Sequence, residues 1–327
     1  MSTRLAIVGM GGRGLKLLAH LVDQPDQDVV GVADRSAVAY ARLQAELYDR
    51  RVHILREAVD LLRLEPDVIV VATTAAGHAP VVRSLVDAGY DGALFVEKPL
   101  AASVAEGREL ERLLDRRPRV AIGFQRRGST MYAEAVRTLR SGELGAVRSL
   151  RWGPPIPSQI SMKGAHHFDL ANWLTGERPV AVSAQLDEHP SVDRRGAYYF
   201  DPPGHARVQY ESGAVFEVDS TGETPDGLFV ECEQGSLRVG PEEDALAING
   251  PEGERTVASD GGREESFDWF DATLRAVVAG EPGPCTPAEA LDALEVVAAV
   301  FLSNERGGER VPLPLGDADS AQELRIA

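Results

Sequence analysis

Short runs of apolar residues alternate with stretches of helical spacing through the first 124 residues of the chain. A continuous apolar run such as Asp67 to Ala72 is typical of a strand that is buried on both faces of a sheet. The pattern predicts strands at 4–8, 28–33, 52–54, 67–72, 93–96 and 120–124, and helices at 15–22, 37–48, 57–64 and 78–88. This alternation predicts an α/β fold with a Rossmann-type doubly wound parallel sheet.

The pattern changes after residue 123, because strand signals between 179 and 249 follow one another with glycine-rich turns and no helix between them. Successive strands without crossover helices favour antiparallel pairing. Strands are predicted at 147–152, 180–186, 206–210, 214–218, 228–232 and 236–239, and helices at 130–140, 165–174, 267–279 and 287–301. We therefore expect a Rossmann domain at 1–123 and an α+β domain with a mainly antiparallel open sheet at 124–327. We also expect a C-terminal helix, at about 287–306, to pack back toward the first domain.

The length and charge of the chain narrow the classes of function. A chain of 327 residues is longer than one hydrophobic core usually serves, and its net charge of −17 disfavours binding to nucleic acid or to an anionic membrane. Cys232 and Cys285 form no disulfide framework, and no apolar run reaches the ~20 residues of a membrane span. We expect a soluble, cytoplasmic protein with a small polar molecule as its substrate.

A glycine-rich loop follows the first predicted strand. Gly9, Gly11 and Gly14 have the G-x-G-x-x-G spacing that lets a backbone approach a pyrophosphate at a helix N-terminus. Asp34 lies 20 residues beyond Gly14, at the end of the second strand, where a carboxylate accepts from a ribose 2′-hydroxyl and repels a 2′-phosphate. This favours NAD. Arg35 keeps NADP open, since it can pair with that phosphate, although it can also stack beside the adenine or point into water.

Lys98 stands where the apolar run 93–96 ends and Pro99 stops the strand. Ligands of parallel α/β sheets bind at the carboxyl ends of the strands. A lysine there can hydrogen-bond a nicotinamide ribose and a substrate oxygen, although a solvated strand end is the ordinary alternative.

Several blocks together resemble the Gfo/Idh/MocA oxidoreductases, the family of glucose–fructose oxidoreductase and inositol dehydrogenase. The resemblance covers nearly the whole chain. It rests on the glycine loop, Ala72-Thr73 with His78, Glu97-Lys98-Pro99-Leu100, Gly123-Phe124-Gln125-Arg126-Arg127, Ser141-Gly142-Glu143-Leu144-Gly145, Gly164-Ala165-His166-His167-Phe168-Asp169-Leu170, Trp173-Leu174-Thr175-Gly176, and the final helices.

The resemblance implies that Lys98 and His166 are catalytic, with His166 transferring the proton. In the family pattern D-x-G-x-H-x-x-D the first aspartate helps to bind a substrate hydroxyl, and here Met162 stands in its place. Asp169, at i+3 from His166, can orient the imidazole. Adjacent helical residues point ~100° apart, so we disfavour a metal held by His166, His167 and Asp169, and expect His167 to be a packing residue.

The complete predicted site has a cofactor part and a substrate part. The cofactor residues are Gly9, Met10, Gly11, Gly12, Arg13, Gly14, Asp34, Arg35, Thr73, Thr74, His78, Glu97, Lys98 and Gln125. The substrate residues are Lys98, Arg127, Met162, His166 and Asp169, and no metal ligands are expected. Tyr198 and Tyr199 can cap the substrate pocket, although packing on a strand face is the more ordinary role.

The expected function is an NAD(P)-dependent transfer of hydride between nicotinamide and a secondary alcohol or ketone of a sugar, cyclitol or nucleotide sugar. Three alternatives stay open: an imine reductase on the same fold, a redox-assisted glycosidase or epimerase, and a dinucleotide-binding regulator without catalysis. The resemblance also implies that the second domain binds substrate and packs subunits into a homodimer or homotetramer.

Overall fold

The computed structural model of the chain describes residues 2–46, 51–154, 156–187, 201–222, 227–240, 245–258 and 267–324. Within those ranges, no helix has both the length and the apolar character required to cross a membrane.

The strands are β1 (Thr3–Val8), β2 (Gln27–Ala33), β3 (His53–Leu55), β4 (Val68–Val71), β5 (Ala93–Val96), β6 (Val120–Ile122), β7 (Val147–Gly153), β8 (Pro179–Leu186), β9 (Gly204–Tyr210), β10 (Val215–Asp219), β11 (Gly227–Cys232), β12 (Ser236–Val239), β13 (Ala245–Gly250), β14 (Gly253–Ala258) and β15 (Val311–Pro312). The helices are α1 (Gly12–Leu21), α2 (Ala37–Glu46), α3 (Ala75–Asp87), α4 (Val104–Leu114), α5 (Thr130–Ser141), α6 (Gly164–Thr175), α7 (Asp268–Ala279), α8 (Pro287–Glu305) and α9 (Asp317–Ser320), with 3-10 helices at Ala58–Leu64 and Gln125–Gly128.

These elements form two compact units. The first contains residues 1–102, 106–123 and 270–290, and the second contains 103–105, 124–269 and 291–327. The sequence analysis expected the C-terminal helix at about 287–306 to be the part that returns to the first domain. In the structure, the segment that rejoins the first unit is 270–290, and the chain from 291 onward belongs to the second unit. The ring of Phe270 contacts that of Phe95 edge to face, at 4.8 Å between centroids.

The sheet of the first unit has the strand order β3-β2-β1-β4-β5-β6, and every pair in it is parallel. The predicted doubly wound sheet is confirmed. β4 and β5 are buried at every position, as their continuous apolar runs predict. Because the strands are parallel, the residues that follow them meet at one edge: Gly9 N donates to Ala33 O at 2.8 Å, and Glu97 N donates to Val71 O at 2.9 Å.

The sheet of the second unit has the strand order β14-β13-β12-β11-β7-β10-β9-β8-β15. β7 and β10 pair in parallel, and the other described neighbours are antiparallel. The expectation of a mainly antiparallel open sheet is therefore confirmed. β9 alternates buried and exposed residues along its length, so one face of the sheet packs inward and the other faces outward.

The structure corrects several element predictions. The helix predicted at 57–64 is a 3-10 helix, which ends at Glu65 in the left-handed conformation (φ 49°) just before Pro66. α4 was not predicted, because Gly107 interrupts the apolar residues on its buried face. β13 and β14 were also missed. β14 is an edge strand with exposed, mostly polar residues, so it carries little apolar alternation. Residues 47 and 48 of the predicted second helix lie outside the described residues.

Candidate functional site

The glycine-rich loop joins β1 to α1. Gly9 has φ +93°, and a Cβ there would lie 2.7 Å from Thr73 N, so only glycine fits this turn. A Cβ on Gly14 would lie 1.9 Å from Gly9 O, so the third glycine lets the helix pack closely against the loop. At Gly11 and Gly12 a Cβ would meet nothing within 4 Å. The loop thus leaves open space directly in front of the N-terminus of α1.

The side chain of Asp34, at the end of β2, binds the glycine-rich loop. Its Oδ2 accepts a hydrogen bond from Met10 N at 2.6 Å, and its Oδ1 accepts one from Ser36 N at 2.8 Å. The carboxylate is therefore held at the end of β2 and tied to the glycine-rich loop. Arg35 turns to Glu57, whose Oε2 accepts from Nε at 3.0 Å and from Nη2 at 2.7 Å. This ion pair was not among the roles considered for Arg35.

Glu97 connects the end of β5 to the same loop. Its carboxylate is buried, and its Oε1 accepts from Arg13 Nε at 2.6 Å. The Glu97 and Arg13 side chains, predicted as cofactor residues, thus meet each other across 84 positions of sequence. A buried charge requires such a partner, because desolvation without one is costly.

For His78 the sequence left two roles open, a structural one and a place in the cofactor crevice, and the contacts of its side chain support the structural one. The side chain is 1% exposed, with Nδ1 2.8 Å from Pro99 O and Nε2 3.2 Å from Thr73 O. Burial lowers the pKa of His78, so the neutral ring donates to one of these carbonyl groups at a time. The His78 ring therefore links the backbone at Thr73 to the backbone at Pro99, and its nitrogen atoms do not face a ligand.

Lys98 follows β5 and is half-buried, and the Lys98–Pro99 peptide bond is cis. Thr73 is half-buried and Thr74 is exposed at the N-terminus of α3. These residues follow β4 and β5, neighbouring strands of the sheet, at the edge where the glycine-rich loop lies. Strand ends at this edge are where open α/β sheets bind their ligands.

The first unit fits a dinucleotide. The open space at Gly11 and Gly12 lies at the positive end of the α1 dipole, which suits a pyrophosphate. The fixed carboxylate of Asp34 suits an unphosphorylated ribose. Both features favour NAD over NADP.

His166 lies in the first turn of α6, in the second unit. It is buried, and its ring meets that of Phe124 edge to face at 5.7 Å. The chain turns helically before α6 begins, since Ala165 N donates to Ser161 O at 2.9 Å. This helical lead-in places Met162 one turn before His166, at the spacing that brings two side chains to one face.

His167 faces a different environment from His166. Its ring stacks on Trp152 at 3.6 Å between centroids, and its Nδ1 lies 3.1 Å from Lys163 O. Burial, followed by the positive charge of Arg126, lowers the pKa of His167 well below its ordinary value. The ring is therefore a neutral packing group, in the role that the sequence analysis expected for it.

Asp169 and Arg127 form a buried ion pair. Arg127 Nε lies 2.9 Å from Asp169 Oδ2, and Nη2 lies 2.8 Å from Oδ1. Both side chains are 1% exposed, and the guanidinium lies over the ring of Trp173 at 5.4 Å. The predicted substrate contacts of these two residues are not supported by this burial. Their ion pair instead connects α6 to the 3-10 helix at Gln125–Gly128, where the predicted cofactor residue Gln125 is half-buried.

Asp201, which the sequence analysis did not single out, reaches the turn that carries Met162. Its Oδ2 accepts from Met162 N at 3.0 Å and from Ser161 Oγ at 2.6 Å, and its Oδ1 accepts from Ser161 N at 2.7 Å. No local signal identifies it, because it precedes two prolines in an irregular segment 39 residues from Met162. Tyr198 and Tyr199 lie outside the described residues.

Two family models match the chain. Residues 3–124 match a model described as "Oxidoreductase family, NAD-binding Rossmann fold", and residues 160–246 match one described as "GFO/IDH/MocA C-terminal domain".

Similar proteins are known as inositol dehydrogenases. Inositol 2-dehydrogenase 2 of Saccharopolyspora erythraea is 29% identical over 96% of both chains. The scyllo-inositol 2-dehydrogenase (NAD(+)) of Bacillus subtilis is 24% identical, over 72% of this chain and 73% of that protein. The crystal structure of myo-inositol dehydrogenase from Lactobacillus casei, in complex with NAD(H) and myo-inositol, matches 97% of this chain and 98% of that chain. Its TM-score is 0.76, and it is 18% identical in sequence, so it shows the shared fold.

Proposed function

Because the chain belongs to the Gfo/Idh/MocA family of NAD-dependent oxidoreductases, we propose that it oxidises a ring hydroxyl of a cyclitol to the ketone. The observation that carries this choice of substrate is the likeness to an inositol 2-dehydrogenase over 96% of both chains. A cyclitol is a small, polar, uncharged molecule, so its binding requires no patch of positive charge on this acidic chain.

The first unit holds the cofactor. The backbone at Gly11 and Gly12 receives the pyrophosphate, and Asp34 accepts from the adenosine ribose. Glu97 and Arg13 keep the loop in place, and His78 holds the backbone at Pro99, next to Lys98. When bound, NAD supplies the hydride acceptor at its nicotinamide ring.

His166 removes the proton of the reacting hydroxyl as the general base, and Lys98 stabilises the negative charge that develops on that oxygen. The buried setting of His166 supports this role, because a site without bulk water strengthens each electrostatic interaction. The pair formed by Arg127 and Asp169 fixes the helix that carries His166.

The test is the reduction of NAD, followed at 340 nm, with myo-inositol, scyllo-inositol and a panel of aldoses. We expect turnover with a cyclitol, and a loss of kcat of at least about 10²-fold in both Lys98→Ala and His166→Ala. The exposed residues Lys16 and His53 supply matched controls, since Lys16→Ala and His53→Ala remove the same groups from the surface. Wild-type turnover in the Lys98 or His166 variant would refute the assigned roles, and the absence of turnover on every cyclitol would refute the substrate class.

We also propose that the protein is a homo-oligomer joined through the outward face of the second sheet. This face carries a shallow cavity bordered by exposed polar residues of β7, β9 and β10. The ring of Phe229 lies there between the guanidinium groups of Arg151 and Arg238, at 5.7 and 5.1 Å. Light scattering on the purified protein tests the proposal, and a monomer at micromolar concentration would refute it.

A further inference from the structure

The candidate base occupies an electrostatically unfavourable place. His166 lies in the first turn of α6, where the positive end of the helix dipole disfavours a protonated imidazole. That turn contains no acidic residue, and the N-cap residue Lys163 makes no side-chain cap. A base that accepts a proton becomes an imidazolium, so this position opposes the product of proton transfer.

The charges packed around the turn are mostly positive or already paired. The positive charges of Arg126 and Lys163 add to the effect of burial in lowering the pKa of the neighbouring His167. Arg127 and Asp169 neutralise each other in their buried pair. Among the residues that the structure describes, Asp201 supplies a carboxylate to the N-terminal side of this turn.

Asp201 binds the backbone on the N-terminal side of α6, the helix that carries His166. Because helical side chains tilt toward the N-terminus, we expect the imidazole to lie over the turn that contains Met162. The Asp201 carboxylate is bound to Met162 N at 3.0 Å, four residues before His166 in sequence. In a helical stretch, four residues correspond to a rise of about 6 Å.

The segment that carries Asp201 is firmly held. Ile160 N donates to Pro202 O at 3.1 Å, and Asp187 N donates to Pro203 O at 2.9 Å. Pro202 and Pro203 are buried, and β9 follows directly. A carboxylate on such a support keeps its position when the nearby charge changes, as pre-organised electrostatic stabilisation requires.

We propose that Asp201 is a positioning residue for His166: its carboxylate caps the turn that leads into α6 and offsets the positive end of the helix, which favours the protonated imidazole formed during oxidation. The inference rests on the proposed role of His166 as the base. It assigns to the reaction a carboxylate from a distant segment that does not itself touch the substrate.

Asp201→Asn removes the charge and keeps part of the cap: the asparagine oxygen still accepts from Ser161 N, and its amide nitrogen, which cannot accept from Met162 N, can donate to Ser161 Oγ. We expect kcat to fall roughly threefold to tenfold, a part of the ~10²–10⁴-fold that a positioned base contributes. We also expect the acid limb of the pH profile of kcat/KM to move to lower pH, since loss of a nearby negative charge disfavours the imidazolium. An unmoved limb in a variant with wild-type melting temperature would reduce Asp201 to a structural cap and overturn the proposal.

Asp219→Asn is the matched control. Asp219 also accepts from a backbone N–H and a hydroxyl, those of Thr221 at 2.9 and 2.6 Å, and it caps a turn of the same unit at the end of β10. We expect its variant to keep the wild-type acid limb, and an equal displacement in both variants would also overturn the proposal.

Two further measurements keep the inference testable if Asp201→Asn folds poorly or the enzyme lacks turnover. Met162→Asp, in the otherwise unchanged chain, places a second carboxylate at i−4 from His166, and we expect the limb to move to higher pH. NMR titration of the His166 ring in the same variants needs no substrate. A displaced titration without turnover would refute the proposed function and leave only the electrostatic coupling of Asp201 to His166 standing, whereas turnover with an undisplaced titration would overturn this inference and leave the proposed function standing.

Discussion

The carboxylate of Asp169 and the guanidinium of Arg127 bind each other at 2.8 Å with both side chains 1% exposed. Removing one partner leaves the other charge buried without its counter-charge, which costs about 3–5 kcal/mol, whereas removing both costs less. We expect Arg127→Met and Asp169→Leu each to lower the melting temperature strongly, and the double variant to be more stable than either. Thermal denaturation of all four proteins tests this double-mutant cycle, and additive losses would contradict it.

The pairing of Arg35 with Glu57 predicts a change in cofactor preference. Because the two side chains are 81% and 48% exposed, their ion pair contributes about 0–1 kcal/mol. We expect Glu57→Gln to release Arg35 toward a 2′-phosphate and to tighten NADPH binding by at most about fivefold, with NADH binding unchanged. Titration by nicotinamide fluorescence measures both affinities.

The double variant Arg35→Ala with Glu57→Gln is the control for this effect. It lacks the guanidinium that would meet the phosphate, so its NADPH affinity should show no gain. A gain that persists in the double variant would mean that the loss of the Glu57 charge alone, and not the release of Arg35, improves NADPH binding.

We expect an added methyl group to affect the stability of the protein differently at two glycines of the glycine-rich loop, Gly14 and Gly12. A Cβ on Gly14 would lie 1.9 Å from the Gly9 carbonyl oxygen, a backbone atom that cannot rotate away. We expect Gly14→Ala to destabilise the protein by at least about 3 kcal/mol. Gly12→Ala, where nothing lies within 4 Å, should change stability by less than about 1 kcal/mol.

NADH binding distinguishes these two variants further. The methyl group of Gly12→Ala enters the space left for the pyrophosphate, so we expect weaker NADH binding with an unchanged melting temperature. Normal binding by that variant would show that the pyrophosphate lies elsewhere.

Because the His167 ring is buried in its neutral form, we expect the free energy of unfolding to depend on pH. Burial lowers its pKa in the folded state, so below its unfolded-state pKa of about 6.5 the unfolded chain binds the proton that the folded chain refuses. The contribution of the neutral His167 ring to the free energy of unfolding is therefore complete above about pH 6.5, and it decreases as the pH falls toward the folded-state pKa of this ring. His78 acts in the same direction.

We expect His167→Phe, which keeps an aromatic ring against Trp152, to lessen this acid loss by up to about 1.4 kcal/mol per pH unit. Urea unfolding at pH 7.5, 6.5 and 5.5 gives the slope, and His53→Ala, at an exposed position, is the control. An identical slope in wild type and His167→Phe would contradict a neutral buried ring.

Signals that lie close together in sequence were sufficient for much of the fold. The runs that became β4 and β5, and the spacing of Gly9, Gly11 and Gly14, are contiguous, and their burial follows from their own composition. α4 was missed although Ser103 and Glu106 have capping-box spacing, a sign that would have marked its start. β14 was missed because an exposed edge strand is stabilised by its pairing with β13, which is not a local property.

The sequence alone determined that the chain has a dinucleotide-binding fold and contains Lys98 and His166 in a recognisable order, because local patterns specify strands, turns and motifs. Only the tertiary structure decided which charges meet: Glu57 with Arg35, Asp169 with Arg127, and Asp201 with the turn before His166, at separations of 22, 42 and 39 residues. The physical reason is that a carboxylate's partner depends on how the chain returns through the fold. An acidic residue looks the same in the sequence whether its carboxylate lies in water or accepts from the backbone of a distant turn.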